Sequence, residues 1–368
     1  MLVPQTETQM AEAIRSATGP LSLRGGATRG GWGGGEVLST RGLTGITLYE
    51  PEALTMVARA GTPLAEVTAT LAAAGQHLPF EPPVAGLLSG PESTIGGVFA
   101  ADASGPRRML SGAARDYLLG IRAVDGHGRI FANGGRVMKN VTGLDLVRLF
   151  AGSEGRLGVM TEVAFKVLPR PQVVRTLIYT GLTITEATAL MIRAARSDCE
   201  VSAAVHLDEG QLSRTALRLE GTAAATAERA ARLSALLPAT GAEVPVFDWA
   251  AVADLTAWQG RAGALWRMML KPSDAPAVWQ ALRALAPLGH LRADWGGGVI
   301  WALLPEGTDP RAGLGPLAQA SCLRLADGMP CAPSCHPPRH PVPAAGVARL
   351  EEGLLQAFDP HGLFRGGF

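Results

Sequence analysis

Two glycine-rich segments are the strongest chemical feature of this sequence. The first reads Arg24-Gly25-Gly26-Ala27-Thr28-Arg29 and the second reads Ser93-Thr94-Ile95-Gly96-Gly97. A loop that binds a pyrophosphate needs backbone N–H groups turned inward and no side chains that block a close approach, and glycine and alanine meet both needs. Either segment alone could be a flexible turn. Because two of them occur about seventy residues apart, the sequence predicts a large phosphate-bearing cofactor that lies between them.

The common nucleotide-binding motifs do not occur in the chain. The dinucleotide fingerprint G-x-G-x-x-G is incomplete everywhere, since Gly33 and Gly35 are followed by Leu38 where the third glycine would stand. A P-loop needs a Gly-Lys-Ser/Thr run, and no lysine of this sequence follows a glycine. The cofactor is therefore not expected to lie in a Rossmann site or a P-loop.

Charge and hydropathy exclude two further classes. A formal net charge of +1 argues against a nucleic-acid-binding protein, which usually has a basic face. No stretch is long and apolar enough to predict a membrane-spanning helix, and residues 1–10 lack the basic cluster of a signal peptide. We expect a cytoplasmic protein, with any membrane association made through partner subunits.

A possible metal site is weakly indicated near the C-terminus. Cys331, Cys335, His336 and His340 include two common ligand types, but their spacing fits no usual zinc pattern and they lie in a proline-rich stretch. An iron–sulfur cluster would lack a fourth cysteine nearby. We expect no bound metal, and the role of these four residues is left open.

The patterning divides the chain into three parts. Residues 1–170 are glycine-rich with short elements, among them a helix over Gln9–Ala17 that Thr8 could cap. Residues 171–343 begin after a proline pair, and residues 344–368 contain a last amphipathic helix and a tail. The middle part predicts two rounds of strands and helices, which favours an antiparallel sheet with helices on one side. These are Val174–Tyr179, Thr185–Arg196, Val201–Leu207, Thr215–Glu220, Ala223–Leu237, then Leu265–Leu270, Ala275–Leu285, His290–Asp294 and Val299–Leu304.

A family resemblance rests on these glycine segments and on two later motifs. Residues 138–145 read M-K-N-V-T-G-L-D and residues 152–159 read G-S-E-G-R-L-G-V. In this order and spacing the motifs resemble the PCMH-type FAD-binding domain of vanillyl-alcohol-oxidase-like flavoproteins. Details beyond them, such as the run Ser104-Gly105-Pro106-Arg107-Arg108, are similar to the FAD-binding E subunits of glycolate oxidase. The implied fold is α+β, with a two-part FAD domain and a cap.

The resemblance implies a set of FAD contacts in this chain. Arg107 and Arg108 could also attract phosphates, although an exposed charged loop is the alternative. The first glycine loop lacks the histidine to which many relatives attach their flavin, so FAD should dissociate. The implied contacts are Arg24, Gly25, Gly26, Ala27, Thr28, Arg29, Pro82, Ser93, Thr94, Ile95, Gly96, Gly97, Ser104, Gly105, Arg108, Glu154, Gly155, Gly158 and Val159.

Catalytic residues are harder to find in this sequence. The histidine-rich cap segments of catalytic relatives, H-x-G-D-G-N and G-E-H-G, do not occur here. The remaining candidates lie on predicted cap strands. Arg267 or Arg292 could clamp a carboxylate, and His290 could act as a base. The alternative is that these side chains lie on a solvated sheet face or form an ion pair with another subunit.

The resemblance leaves three functional hypotheses. In the first, the chain is the FAD-binding subunit of a complex with a catalytic flavoprotein subunit and an iron–sulfur subunit, which oxidises glycolate or D-lactate to the 2-oxo acid. In the second, it is a self-sufficient FAD-dependent 2-hydroxy-acid dehydrogenase. In the third, it is an assembly subunit whose flavin is structural or absent. The missing histidine segments favour the first.

Overall fold

The computed structural model describes residues 1–29, 34–136, 143–208, 213–237, 241–325 and 339–364. The N-terminal unit contains an antiparallel five-stranded sheet and two smaller strand pairs, and its short helices pack on these strands. Its strands are β1 Leu21–Arg24, β2 Glu36–Ser39, β3 Ile46–Glu50, β4 Thr55–Arg59, β5 Gln76–His77, β6 Leu118–Val124, β7 Ile130–Gly134, β8 Val159–Lys166 and β9 Leu168–Pro169. Its helices are α1 Glu7–Arg15, α2 Leu64–Ala73, α3 Ile95–Ala100, α4 Arg108–Ser111, α5 Ala114–Tyr117 and α6 Leu146–Phe150.

The five-stranded sheet has the order β3-β4-β8-β6-β7, and β1 pairs with β2 in parallel beside it. Buried aromatic rings fill the layer between this sheet and the helices. Phe99 of α3 lies 5.4 Å from Phe165 of β8 and 5.5 Å from Phe80, measured between ring centroids. This packing fixes α3, whose first turn carries the second glycine segment.

The second unit, which we call the cap, contains an eight-stranded antiparallel sheet of order β13-β10-β12-β11-β15-β16-β14-β17. Its strands are β10 Val173–Thr180, β11 Ala203–Asp208, β12 Ser213–Gly221, β13 Ala242–Val244, β14 Ala264–Leu270, β15 His290–Asp294, β16 Val299–Leu304 and β17 Ala318–Arg324. Its helices are α7 Ile184–Ala195, α8 Ala223–Leu236, α9 Trp249–Asp254, α10 Ala275–Leu285 and α11 Arg311–Leu314.

The strand order of the cap is that of a repeat. The run β10-α7-β11-β12 and the run β14-α10-β15-β16 occupy equivalent places on either side of the central pair β11–β15, and each is followed by an outer edge strand. The second round of strands and helices in the sequence therefore corresponds to a second copy of one strand–helix–strand–strand unit.

The two faces of the cap sheet have different neighbours. Side chains such as Trp266 and Ile300 pack against the cap helices in one large core. Because side chains alternate along a strand, Leu265 and Trp301 point to the opposite face. There they form a cluster against which Leu87 and Leu88 of the N-terminal unit pack. This second face therefore meets the N-terminal unit.

The chain returns to the N-terminal unit after the cap. Helix α12, Ala345–Phe358, ends with Phe358 packed edge-on against Phe150, with the ring centroids 5.4 Å apart. Leu363 and Phe364 then join the core around α1, and the N–H of Leu21 donates to the carbonyl of Leu363 at 2.7 Å.

Most sequence predictions agree with this fold. The α+β class is confirmed, and the proposed boundary near residue 171 falls between β9 and β10. One helix cap was predicted wrongly: α1 begins at Glu7, and Thr6 rather than Thr8 accepts the N–H of Gln9, at 3.2 Å. Residues 138–142 of the third motif lie outside the described residues.

Two expected absences concern the described residues only. No helix among them is long and apolar enough to cross a membrane. No group of three or more His, Cys, Asp or Glu side chains in the described ranges could hold a metal ion. Cys331, Cys335 and His336 lie outside those ranges.

Candidate functional site

The first glycine segment, the second glycine segment and the loop before β8 surround one cavity, which we call the glycine-loop cavity. It encloses about 740 Å³ of space between atoms, open solvent at its mouth included. Its lining is dominated by small residues. The lining residues are Leu23, Arg24, Gly25, Gly26, Ala27, Thr28, Arg29, Thr40, Ala60, Thr94, Gly96, Gly97, Ala100, Ala101, Glu154, Gly155, Gly158, Val159 and Met160.

Local contacts explain why the glycine segments fold as they do. A Cβ atom on Gly26 would lie 1.7 Å from the carbonyl oxygen of Glu92, so only glycine lets the two segments pass each other. Ala27 follows with a φ of 54°, in the left-handed region. In the second segment, the hydroxyl of Thr94 accepts the N–H of Gly97 at 3.3 Å and starts α3. The backbone of both segments is thus fixed at the cavity wall.

A second cavity adjoins the first where the N-terminal unit meets the cap, and we call it the interface cavity. It encloses about 560 Å³, open solvent included, and shares four lining residues with the glycine-loop cavity: Thr28, Arg29, Ala101 and Glu154. Its other lining residues are Pro83, Leu87, Leu88, Ala103, Ser104, Arg267, Trp301, Leu323, Arg324 and Arg339. Apolar and cationic side chains therefore face each other next to the glycine loops.

Glu154 lies at the junction of the two cavities. One carboxylate oxygen accepts from Arg339 at 3.0 Å and the other contacts the Nε2 atom of His340 at 3.2 Å. The Nδ1 atom of His340 lies 3.2 Å from the hydroxyl of Ser321 on β17. Burial alone would raise the pKa of Glu154, but Arg339, His340 and Arg267 lower it to about 2. Glu154 is thus ionised at neutral pH and held by both units.

Arg267 reaches the interface cavity from the cap sheet. On β14 it pairs across the sheet with Trp301 of β16 and Ser321 of β17, so the three side chains share the face that meets the N-terminal unit. Its Nε atom is buried without a hydrogen-bond partner among the described residues. Burial lowers the pKa of Arg267, and the Glu154 carboxylate opposes that shift. A buried guanidinium with an unused donor suits an anionic ligand.

Arg29 lines both cavities, but its side chain is used within the protein. Its terminal nitrogens donate to the hydroxyls of Ser93 and Ser89, at 2.5 and 3.0 Å, and to the carbonyl of Pro83 at 2.6 Å. Burial lowers the pKa of Arg29 to about 10, although Asp254 opposes this shift. The guanidinium therefore ties the first glycine segment to residues 83–93.

Arg107 and Arg108 are engaged elsewhere. Arg108 pairs with Asp102 at 3.2 Å and stacks over Trp295, with 4.8 Å from its guanidinium carbon to the ring centre. Arg107 pairs with Glu220 of the cap at 3.1 Å. Neither is among the described residues that line the two cavities. Their charges connect the N-terminal unit to the cap.

The other residues predicted to contact the cofactor are spread around the two cavities. Ser104 lines the interface cavity, and Pro82 is buried next to Pro83, which also lines it. Ser93 and Ile95, within the second glycine segment, are buried and do not line either cavity. Gly105 accepts the indole N–H of Trp295 at 3.0 Å.

His290 and Arg292 lie on the same face of the cap sheet as Arg267 but away from both cavities. His290 lines a separate surface recess, where Arg261 lies 3.1 Å from its Nε2 atom. Arg292 is buried, stacks on Trp258 and donates to the carbonyl of Val252 at 2.7 Å. Their positions lend no support to a catalytic role, because each side chain is committed to the cap.

Arg339 and His340 were missed as partners of the glycine loops. The sequence offers His340 only as a candidate metal ligand and assigns no role to Arg339. Their contact with Glu154 spans more than 180 residues of sequence. No local pattern in the sequence indicates such a contact.

Comparison with known proteins now gives the class. Residues 1–133 match the family described as FAD binding domain. The fold and the match together define a flavoprotein oxidoreductase of the FAD-binding type. More narrowly, the chain belongs to the family of the glycolate oxidase subunit GlcE. It is 37% identical to that subunit from Escherichia coli (strain K12) over 297 residues, which cover 80% of this chain and 78% of the relative.

Other relatives match over a smaller part of their length. The glycolate oxidase subunit GlcD of Bacillus subtilis (strain 168) is 34% identical over 44% of this chain and 34% of its own. The D-lactate dehydrogenase of Archaeoglobus fulgidus is 33% identical over 48% of this chain and 40% of its own.

A solved structure of alkyldihydroxyacetonephosphate synthase superimposes with a TM-score of 0.71 at 15% identity, covering 100% of this chain and 75% of that one. This likeness concerns the fold alone. It extends over the cap as well as the N-terminal unit.

Proposed function

We propose that the glycine-loop cavity holds FAD without a covalent bond, and that the chain takes part in oxidising glycolate, or a similar 2-hydroxy acid such as D-lactate, to the 2-oxo acid. The observation that carries this proposal is the junction of the two cavities. A cavity walled by glycine, alanine and threonine adjoins one that contains the buried guanidinium of Arg267.

The lining of the glycine-loop cavity fits the proposed cofactor. Backbone from Gly25 to Thr28 faces the space, so phosphate oxygens can approach its N–H groups closely. In the second segment the N–H groups of Ile95, Gly96 and Gly97 already donate within the protein, so that segment contributes a wall of small residues. When bound, FAD would supply the acceptor for the two electrons of the oxidation. The first glycine loop contains no histidine that could form a covalent link, which supports dissociable FAD.

The interface cavity would hold the substrate. Arg267 is placed to bind the carboxylate, since its guanidinium is buried there and its Nε atom has no described partner. A base for the hydroxyl proton is harder to assign. With a pKa of about 2, Glu154 is a weak proton acceptor. No other described residue that lines this cavity is a histidine or a carboxylic acid.

The lack of a base among these lining residues supports a subunit role. We propose that the chain works beside a catalytic flavoprotein subunit and an iron–sulfur subunit, and that any membrane association comes through them. Two relatives are themselves named as subunits of glycolate oxidase, which supports a multi-subunit assembly.

The position of Arg267 also favours a second candidate, a self-sufficient FAD-dependent 2-hydroxy-acid dehydrogenase. The visible spectrum of the purified chain, followed by anaerobic addition of glycolate and then D-lactate, separates the two. We expect a yellow protein that releases FAD on denaturation and is not bleached by either acid alone.

Bleaching by either acid would make this chain an enzyme in its own right and contradict the subunit proposal. A colourless protein that cannot be reconstituted with FAD would contradict the cofactor proposal. In that case an assembly role would be favoured, and the chain should still co-purify with its partner subunits.

A further inference from the structure

The side chains that line the interface cavity indicate which substituent the substrate bears next to its carboxylate. We infer that this cavity prefers 2-hydroxy monocarboxylates that bear a non-polar substituent on the hydroxylated carbon over glycolate, which bears none. This inference rests on the proposed function, because it assigns the side chain of the same substrate. The preference follows from the charged side chains that line the cavity and from the position of the loop that carries Leu87 and Leu88.

The charged side chains of the lining leave an excess of positive charge for the ligand. Four arginines and one carboxylate line the cavity. Arg339 is bonded to Glu154, and the terminal nitrogens of Arg29 are taken by Pro83, Ser89 and Ser93. Arg324 is also engaged in a contact of its own. Arg267, on the cap wall of the cavity, is thus placed to bind a carboxylate.

Most of the uncharged wall is apolar, although Thr28 and Ser104 also line the cavity. Leu87, Leu88, Trp301 and Leu323 line the cavity and belong to, or pack against, one hydrophobic cluster. Trp301 is the direct cross-strand neighbour of Arg267. A carboxylate bound to Arg267 would thus place the adjacent carbon near an apolar surface, where each buried methylene group contributes about 0.8 kcal/mol, or about fourfold in affinity.

The two leucines lie on a loop that is fixed from both units. We call residues 83–89 the leucine loop. The carboxylate of Asp254 in the cap accepts the N–H groups of Val84 and Ala85, at 2.8 and 3.0 Å. From the other side, Arg29 donates to Pro83 and Ser89. Because both ends are held, the loop offers Leu87 and Leu88 as a preformed wall rather than as a mobile cover.

The test measures binding of non-reacting 2-oxo acids to the purified, FAD-loaded chain by isothermal titration calorimetry. The probes are glyoxylate, pyruvate, 2-oxobutyrate and 4-methyl-2-oxopentanoate. We expect affinity to rise about fourfold for each added methylene. Affinity that is flat or falls along the series would overturn the inference.

Variants separate this inference from the proposed function. Leu88→Asn should reduce the gain per methylene, whereas the matched control Leu144→Asn, at a position 79% exposed in the N-terminal unit, should not change the series. Arg267→Gln should weaken all the acids together by about tenfold or more. FAD content and melting temperature show whether each variant is folded.

The two possible failures have different signatures. A flat series that still depends on Arg267 contradicts the non-polar preference and leaves the carboxylate site in place. Binding that is insensitive to Arg267→Gln in a folded, FAD-loaded variant contradicts the placement of the substrate, and with it this part of the proposed function.

Discussion

At the scale of single residues, Ala27 gives the sharpest test of where FAD binds. Its φ of 54° lies in a region that asparagine and aspartate tolerate, and its side chain lines the glycine-loop cavity. Ala27→Asp and Ala27→Asn have nearly the same size and differ in charge. If the pyrophosphate lies here, Ala27→Asp should lose most of its FAD by charge repulsion and Ala27→Asn should retain much more.

The measurement is the ratio of flavin to protein absorbance after gel filtration. Equal retention by the two variants would place the pyrophosphate elsewhere. A substitution at Gly26 would be less informative, because any side chain there would meet the backbone of Glu92 at 1.7 Å and disturb the loop regardless of charge.

Asp294, at the end of β15, predicts a pH-dependent stability. Burial raises its pKa to about 6, although the N–H of Trp295, Arg292 and Arg218 oppose the shift. The ordinary value is 3.8, so the folded protein binds more protons than the unfolded chain between these two pH values. The contribution of Asp294 to the free energy of unfolding is therefore full below about pH 4 and is lost as the pH rises through about 6.

The expected loss for the wild type relative to Asp294→Asn is on the order of 2 kcal/mol between about pH 4 and pH 7. Urea unfolding of both proteins across this range measures the difference. The comparison with Asp294→Asn is necessary because burial lowers the pKa of His206 and of His77 to about 4. These two shifts make the stability of both proteins rise with pH, opposite to the effect of Asp294. A constant difference between the two proteins would contradict the shift at Asp294.

At the scale of elements, local signals predicted the cap well. The predicted strand Leu265–Leu270 and helix Ala275–Leu285 match β14 and α10 to within a residue, because alternation and helical periodicity are properties of adjacent residues. The α1 cap was predicted wrongly although the sequence contains a signal for it: Gln9 follows Thr6 at the capping-box spacing, whereas Ala11 stands at that spacing after Thr8.

The contact between elements that most firmly joins the two units is an ion pair. Arg218 of β12, buried in the cap, donates to both carboxylate oxygens of Glu81 at 2.7 and 2.8 Å. Glu81→Gln leaves the buried guanidinium without its main counter-charge. We expect a loss of about 2–3 kcal/mol in the free energy of unfolding, below the usual range for a buried pair because Glu81 is partly exposed.

Chemical denaturation measures this loss, and Asp198→Asn, which breaks the exposed pair with Arg232, is the control expected to change little. Glu81→Gln combined with Arg218→Met should recover part of the loss, because the uncompensated charge is removed. A double variant as unstable as the sum of its parts would show that Arg218 acts through its packing on Trp249 instead.

At the scale of the whole molecule, the candidate site is assembled from distant parts of the chain. Motifs in the sequence predicted the glycine loops, since these depend on residue types in short segments. The partners of Glu154 and the neighbours of Arg267 depend on how the cap sheet lies against the N-terminal unit. That arrangement brings residue 154 next to residues 339 and 340. It also explains why Arg267 lines the interface cavity whereas His290, on the same sheet face, lines a separate surface recess.

The C-terminal end of the described residues also helps to hold the proposed cofactor site in place. Asp359, fully buried, accepts the N–H groups of Leu363 and Phe364, and the carbonyl of Leu363 accepts the N–H of Leu21 at the start of β1. Strand β1 leads directly into the first glycine segment. The tail therefore holds in place the strand that positions the proposed pyrophosphate loop, although almost the whole chain separates them in sequence.

Phe364→Ala should consequently affect both stability and FAD retention. The ring is 1% exposed, in a core with Met10 and Ile14, so its removal should cost about 3–5 kcal/mol in the free energy of unfolding. We also expect weaker FAD retention at temperatures where the protein stays folded, because β1 loses its support.

Leu350→Ala, on the exposed face of α12 and 73% exposed, is the matched control and should change neither quantity. Denaturant unfolding and flavin release read the two effects separately. If Phe364→Ala lost stability but kept its full affinity for FAD, the tail would be a packing element of the N-terminal unit with no influence on the glycine loop.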